Sequence, residues 1–131
     1  MENFSLDSLY KVGNDLLDAQ HRVILSYMAK VSTQLSAGNE DRTLCALLDR
    51  LDISCKLHFL DEEQLLEEMG YREIDDHKAQ HALFVMHLSG FVGRHEGLDR
   101  TKNLEELLLL ERWFLEHIAV FDKRYAELAK T

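Results

Sequence analysis

The chain has 131 residues, 46% hydrophobic and 30% charged, with no proline and six glycines, so it can bury a core as one domain and nothing forbids long helices. Its formal net charge of −9 argues against nucleic acid, whose binding needs a basic face, and no block of Lys/Arg is present to grip an anionic membrane surface. No apolar run reaches the length of a membrane span, and the acidic opening over 1–10 reads as no signal peptide.

Residues 1–14 are expected to form an arm whose Phe4, Leu6, Leu9, Tyr10 and Val12 pack on the rest of the chain. Four segments of helical period follow. The first, about 15–37, carries the stripe Leu17, His21, Ile24, Leu25, Met28, Val31 and Leu35 and stops at Gly38-Asn39. The second, about 41–69, carries Leu44, Leu47, Leu48, Leu51, Cys55, His58, Phe59, Glu62, Leu65, Leu66 and Met69, and Gly70 ends it. The third, about 75–95, carries His77, His81, Phe84, Val85, Leu88 and Val92, with Asp75 and Asp76 where a first helical turn favours acids. The fourth, about 103–128, carries Leu107, Leu110, Trp113, Phe114, His117, Ile118, Phe121, Tyr125 and Leu128, and Asn103 with Glu106 has capping-box spacing. Short connections favour antiparallel neighbours, which predicts an all-α, up-down-up-down four-helix bundle.

Polar residues interrupt these apolar stripes at few places. His58 and Glu62, and likewise His77 and His81, stand four apart, on one face and one turn from each other. His117 and Asp122 lie on the fourth stripe and His21 on the first. Depths follow from a rise of about 1.5 Å per residue, counted from the end that all four helices share in an antiparallel bundle. His21, His81, Glu62 and Asp122 fall about 9–10 Å in, His77 about 3 Å, and His58 and His117 about 16 Å. All four helices therefore deliver their polar core residues to one level.

Five imidazoles and two carboxylates exceed the four ligands of a zinc ion. They suit two octahedral-type ions bridged by carboxylates. Mixed nitrogen and oxygen donors allow iron or manganese, and an imidazole-rich set favours iron. One spacing is irregular: His117 and Asp122 are five apart, about 140° round an ideal helix, so sharing a face calls for a wider local turn or a tilted side chain, and a π-type bulge is the expectation.

The other polar residues have plainer readings. His87 and His95 lie off the third stripe and read as surface residues. Among the acids Asp61, Glu62, Glu63, Glu67 and Glu68, only Glu62 falls on the ligand register, and the rest read as a solvated face. Cys45 and Cys55 share one helix about 15 Å apart, too far for a disulfide, and two thiols suit a reducing cytoplasm. Cys55 reads as core packing and Cys45 as inert.

Several segments also match a known family. They are Val12-Gly13 followed by Asp18-Ala19-Gln20-His21; His58-Phe59-Leu60-Asp61-Glu62-Glu63; Met69-Gly70-Tyr71 followed by His77-Lys78-Ala79-Gln80-His81; and the run from Trp113 through His117 to Asp122. On these the chain resembles the bacterial hemerythrins, with all seven ligand positions filled. The resemblance implies a non-haem di-iron centre in which His77, His81 and His117 hold one iron and His21 and His58 the other. Glu62 and Asp122 would bridge both, with an oxo or hydroxo group between. O₂ would bind as a hydroperoxide at an open position on the two-histidine iron, under an apolar pocket of Ile24, Phe59, Trp113, Phe114 and Ile118. The chain departs from the family in having Leu9-Tyr10 where a Trp is usual, Arg72 where Pro often follows Gly-Tyr, and Ser54 in place of a common Tyr.

The function so implied is reversible O₂ binding for storage, delivery or sensing, with no catalytic residue and at most a weak peroxidase or oxidase side activity. A di-iron enzyme reducing O₂, peroxide or nitric oxide is the alternative, and a structural metal module a third. Oxidases of ferritin type use Glu-x-x-His on two helices, and this chain has none. Its partners would be O₂ and a recipient oxygen-using enzyme, with no nucleic acid and no membrane. The chain would be a monomeric, stand-alone carrier in the cytoplasm.

Overall fold

Helix ends fix where each polar core residue is delivered, and nearly every end is set by a local device. The computed structural model describes residues 11–38 and 42–129. The expected packing of Phe4, Leu6, Leu9 and Tyr10, and a helix start at Asp41, lie outside the described residues.

Helix α1 (Asp15–Ser36) opens on Asn14, whose extended backbone lets its side chain accept the Leu17 N–H at 3.0 Å. It closes before Gly38, which takes φ +77°. Helix α2 (Arg42–Met69) closes at Gly70, φ +67°. There the Tyr71 N–H returns to the Leu66 carbonyl and the Gly70 N–H to that of Glu67, both at 3.0 Å, a closure that needs the left-handed residue glycine supplies. Helix α3 (Ile74–Arg94) carries Asp75 and Asp76 in its first turn and runs into a 3₁₀ turn, His95–Gly97. The fourth rod is α4 (Arg100–His117), a π-helical segment (Ile118–Asp122) and α5 (Lys123–Ala129) in continuous succession.

The first three helices match the expected spans to within a residue or so at each described end. The fourth starts three residues earlier than expected. Asp99, not Asn103, is the cap, its carboxylate accepting the Lys102 N–H at 2.8 Å. Asn103 is buried inside the helix, where its amide donates to the His95 carbonyl at 2.9 Å. A carboxylate serves the exposed cap equally well, but only an amide can donate to that buried carbonyl.

Helix α1 packs on α2 and α4, and α3 on the same two, which closes the four rods into a bundle. Neighbours run antiparallel. The start of α1 lies beside the end of α2, through Gln20 Nε2 and Asp61 Oδ2 at 2.8 Å. The end of α1 lies beside the start of α4. The larger apolar core includes Ile24, Met28, Leu48, Phe84, Leu88 and Phe114. A smaller one of Val12, Leu17, Leu66, Tyr71, Tyr125 and Ala126 closes the far end. The polar level predicted from the stripes lies between them. Met69 and Leu128, expected on the stripes, are exposed instead. No described helix is long and apolar enough to cross a membrane.

Candidate metal centre

All seven residues singled out from the stripes are buried, none more than 2% exposed. A buried charged or polar group must find partners or be neutralised, so seven at one level require a common explanation. The spacing of the donor atoms supplies it. Glu62 Oε1 lies 3.0 Å from His77 Nε2 and 2.9 Å from His81 Nε2. Asp122 Oδ1 lies 2.9 Å from His77 Nε2 and 3.2 Å from His117 Nε2, and the Nε2 atoms of His81 and His117 are 3.2 Å apart. Ligands about 2.1 Å from an octahedral ion stand about 3 Å from one another along each edge, which is the spacing seen.

The other oxygens of the same two carboxylates face the remaining histidines. Asp122 Oδ2 is 3.5 Å from His21 Nε2, and Glu62 Oε2 is 3.9 Å from His58 Nε2. The donors therefore divide into one group of five and one of four that share both acids, with all donor atoms within 4.8 Å inside each group. Protein contacts alone do not satisfy them. Both nitrogens of His21, Nδ1 of His117 and both oxygens of Asp122 are buried without a well-directed hydrogen bond, although Asp122 is at hydrogen-bonding distance from two rings. A pair of cations would use these lone pairs, so the donor set fits the group that the resemblance implies.

The π-helical segment is the predicted irregularity, found at the predicted place. Its wider turn brings His117 and Asp122, five apart, onto one face.

Three residues complete the layer in roles not read from the sequence. Tyr125 donates its hydroxyl to Glu62 Oε2 at 2.7 Å. Glu63, read as part of a solvated face, accepts from His81 Nδ1 at 2.8 Å. The Gln20 amide oxygen accepts from His58 Nδ1, also at 2.8 Å. Each of the last two fixes the proton on Nδ1 and leaves Nε2 to face the centre, the usual way a ligating imidazole is oriented. Tyr125 could have been found as the residue one turn beyond Asp122. Gln20 and Glu63 adjoin ligand positions, but their contacts depend on how two helices rotate against each other.

The apolar residues assigned to the pocket fall in two places. Phe114 is fully buried with its ring 5.9 Å from His21 and 6.3 Å from His58. Ile24, Phe59 and Ile118 are buried in the same core. Trp113 is half-buried and stacks on His117 at 4.8 Å, on the side of the five-donor group. His87 is exposed as expected, but His95 is not: it is buried, because α3 ends at Arg94 and the 3₁₀ turn swings the ring inward.

The cluster's own charges polarise it strongly. Burial pushes His58 down to about 4. Burial also opposes a charge on His77, yet its bonds to Asp122 and Glu62 raise it to about 9. Burial and the Asp122 charge favour protonated Glu62, but bonds from His77 and His81 hold it at about 2. Stability follows by linkage. The His77 contribution is full below its ordinary 6.5 and is lost as pH rises through 9. The His58 contribution is full above 6.5 and is lost as pH falls through 4, and that of Glu62 is lost from 4.5 down through 2. The chelated protein should therefore melt highest near pH 6.5 and lower on both sides. Melting followed by circular dichroism from pH 4 to 9 checks this, and a Tm still rising at pH 9 would contradict it.

Comparison with known proteins places this geometry in context. The family model for the hemerythrin HHE cation-binding domain matches residues 12–129. A bacteriohemerythrin of Stenotrophomonas maltophilia (strain R551-3) is 31% identical over 125 residues, covering 91% of this chain and 76% of that protein. A bacteriohemerythrin of Clostridium acetobutylicum is 24% identical, covering 90% and 95%. A myohemerythrin of Theromyzon tessulatum is 23% identical, covering 95% and 92%. No solved structure gives a significant match.

Proposed function

Because the chain belongs to the hemerythrin HHE cation-binding family, we propose that it binds O₂ reversibly at a carboxylate-bridged pair of irons. One observation carries the pairing: Glu62 and Asp122 each turn one oxygen to His77, His81 and His117 or some of them, and the other oxygen to His21 or His58. A single ion would not need both faces of both acids. We assign all seven residues as ligands on that basis.

Held by these seven residues as a ferrous pair, iron would supply the capacity for reversible two-electron exchange with O₂. The protein's own residues decide whether that exchange stays reversible. The His21–His58 group offers four protein donors against five in the other, which leaves room there for a small ligand. Phe114, Phe59, Ile24 and Ile118 line the core beside it and keep bulk water from that side. Tyr125 restrains Glu62 through its hydroxyl, while Glu63 and Gln20 hold two imidazoles in register. Five imidazoles with only two carboxylates stabilise high-valent iron poorly, so we read a carrier rather than an enzyme. The two thiols suit a cytoplasmic setting.

The test is direct. The protein is purified anaerobically and reduced, its iron is counted, and visible spectra are recorded while O₂ and vacuum alternate. Two irons per chain and a band that appears with O₂ and vanishes under vacuum, cycle after cycle, are expected. Irreversible oxidation at first exposure would support an O₂-reducing enzyme instead.

A further inference from the structure

A second group of metal-ligating side chains lies at the opposite end of the bundle. Cys45 is in the first turn of α2, thirteen residues before His58 and so about 20 Å from the iron level. Its Sγ is 3.9 Å from His95 Nε2 and 3.9 Å from Glu96 Oε2. The three donor atoms lie within 4.8 Å of one another.

We propose that Cys45, His95 and Glu96 form a separate site for a divalent metal of zinc type, independent of the iron pair. The set is a thiolate, an imidazole and a carboxylate, the mixture that selects zinc or cobalt(II) over calcium or magnesium. Bond lengths of about 2.3 Å to sulfur and 2.0–2.1 Å to nitrogen or oxygen put the other tetrahedral donors about 3.6 Å from the sulfur, so each of the two distances from Cys45 Sγ needs to close by only a few tenths of an ångström. Three protein donors leave the fourth position to water.

The histidine is prepared for this role. The residue, predicted to be on the surface, is only 6% exposed. Its Nδ1 lies 2.9 Å from the Val92 carbonyl, which can only accept, so Nδ1 carries the proton and the Nε2 lone pair faces the sulfur. The backbone is pinned as well: the His95 carbonyl accepts from the Asn103 amide at 2.9 Å and from the Leu98 N–H at 3.2 Å. This use of Asn103 is what moved the helix cap to Asp99. A bound ion would clasp α2 to the turn between α3 and α4.

Cobalt(II) is the probe, because a thiolate bound to it gives a near-ultraviolet charge-transfer band that histidine and carboxylate ligands cannot. It is added to the iron-loaded full chain, and melting is followed in parallel with zinc. One equivalent of cobalt should give the band. Cys45→Ser should abolish it and weaken zinc binding by at least about 100-fold, more than the loss of an outer-shell partner. His95→Gln should do the same, and Cys55→Ala should leave the band intact. Zinc should raise the Tm of the wild type but not of Cys45→Ser. Absence of the band in the wild type, or its survival in Cys45→Ser, would overturn the proposal. The readout comes from sulfur, so it stands or falls apart from the iron count.

Discussion

Glu62→Gln should bring the iron content from two per chain to one or none while leaving the helical content unchanged. Gln keeps the shape of Glu62 and one carbonyl oxygen but removes the charge and the second equivalent oxygen. Glu62 is fully buried, and both its oxygens face imidazoles of the proposed ligand set. A unit charge about 4 Å from a cation is worth about 4 kcal/mol at the effective dielectric of a protein site, and more for a divalent ion. That corresponds to roughly a thousandfold loss of affinity, shared between both ions because one side chain serves both. Tyr125 would also lose its acceptor of full charge. The check is a colorimetric iron count on protein reconstituted under argon. Two irons per chain in the variant would remove Glu62 from the bridge.

Phe114→Ala should cost both stability and reversibility. The ring is completely buried and packs near Phe59, Phe84 and the imidazoles of His21 and His58. Truncating a buried Phe costs about 3–5 kcal/mol through lost transfer energy and the cavity left behind. For a chain of this size the Tm should fall by roughly 10–20 °C. The cavity adjoins the side we assign to O₂, so water and protons would gain access there. The oxygenated form should decay to the oxidised form severalfold faster, followed by loss of its visible band at a temperature well below both melting points. Phe114→Leu should recover most of the stability and much of the lifetime. An unaltered decay rate in the alanine variant would place the O₂ position elsewhere.

Much of this was legible in the sequence because helical period and depth are arithmetic. Stripes of known rise deliver His21, Glu62, His81 and Asp122 to one level whatever the detailed packing. The π-helical segment was partly legible for the same reason: a five-residue spacing between two residues that share a face asks for a wider turn or a tilted side chain, and the structure takes the wider turn. What stayed hidden depends on contacts across helices. Glu63 looks like one more surface acid until α3 turns His81 Nδ1 towards it. His95 looks like a surface residue while α3 is drawn as continuing, and it is buried because the helix gives way to a 3₁₀ turn one residue earlier. Asn103 and Asp99 are equally good caps by type, and only the buried His95 carbonyl decides between them.

The measurement closest to the central claim is anomalous X-ray diffraction at the iron edge from crystals of the reduced, iron-loaded protein. Two distinct iron positions are predicted in each chain, one among His77, His81 and His117 and one beside His21 and His58, with Glu62 and Asp122 reaching both. A single iron, or iron bound away from these seven side chains, would contradict the account.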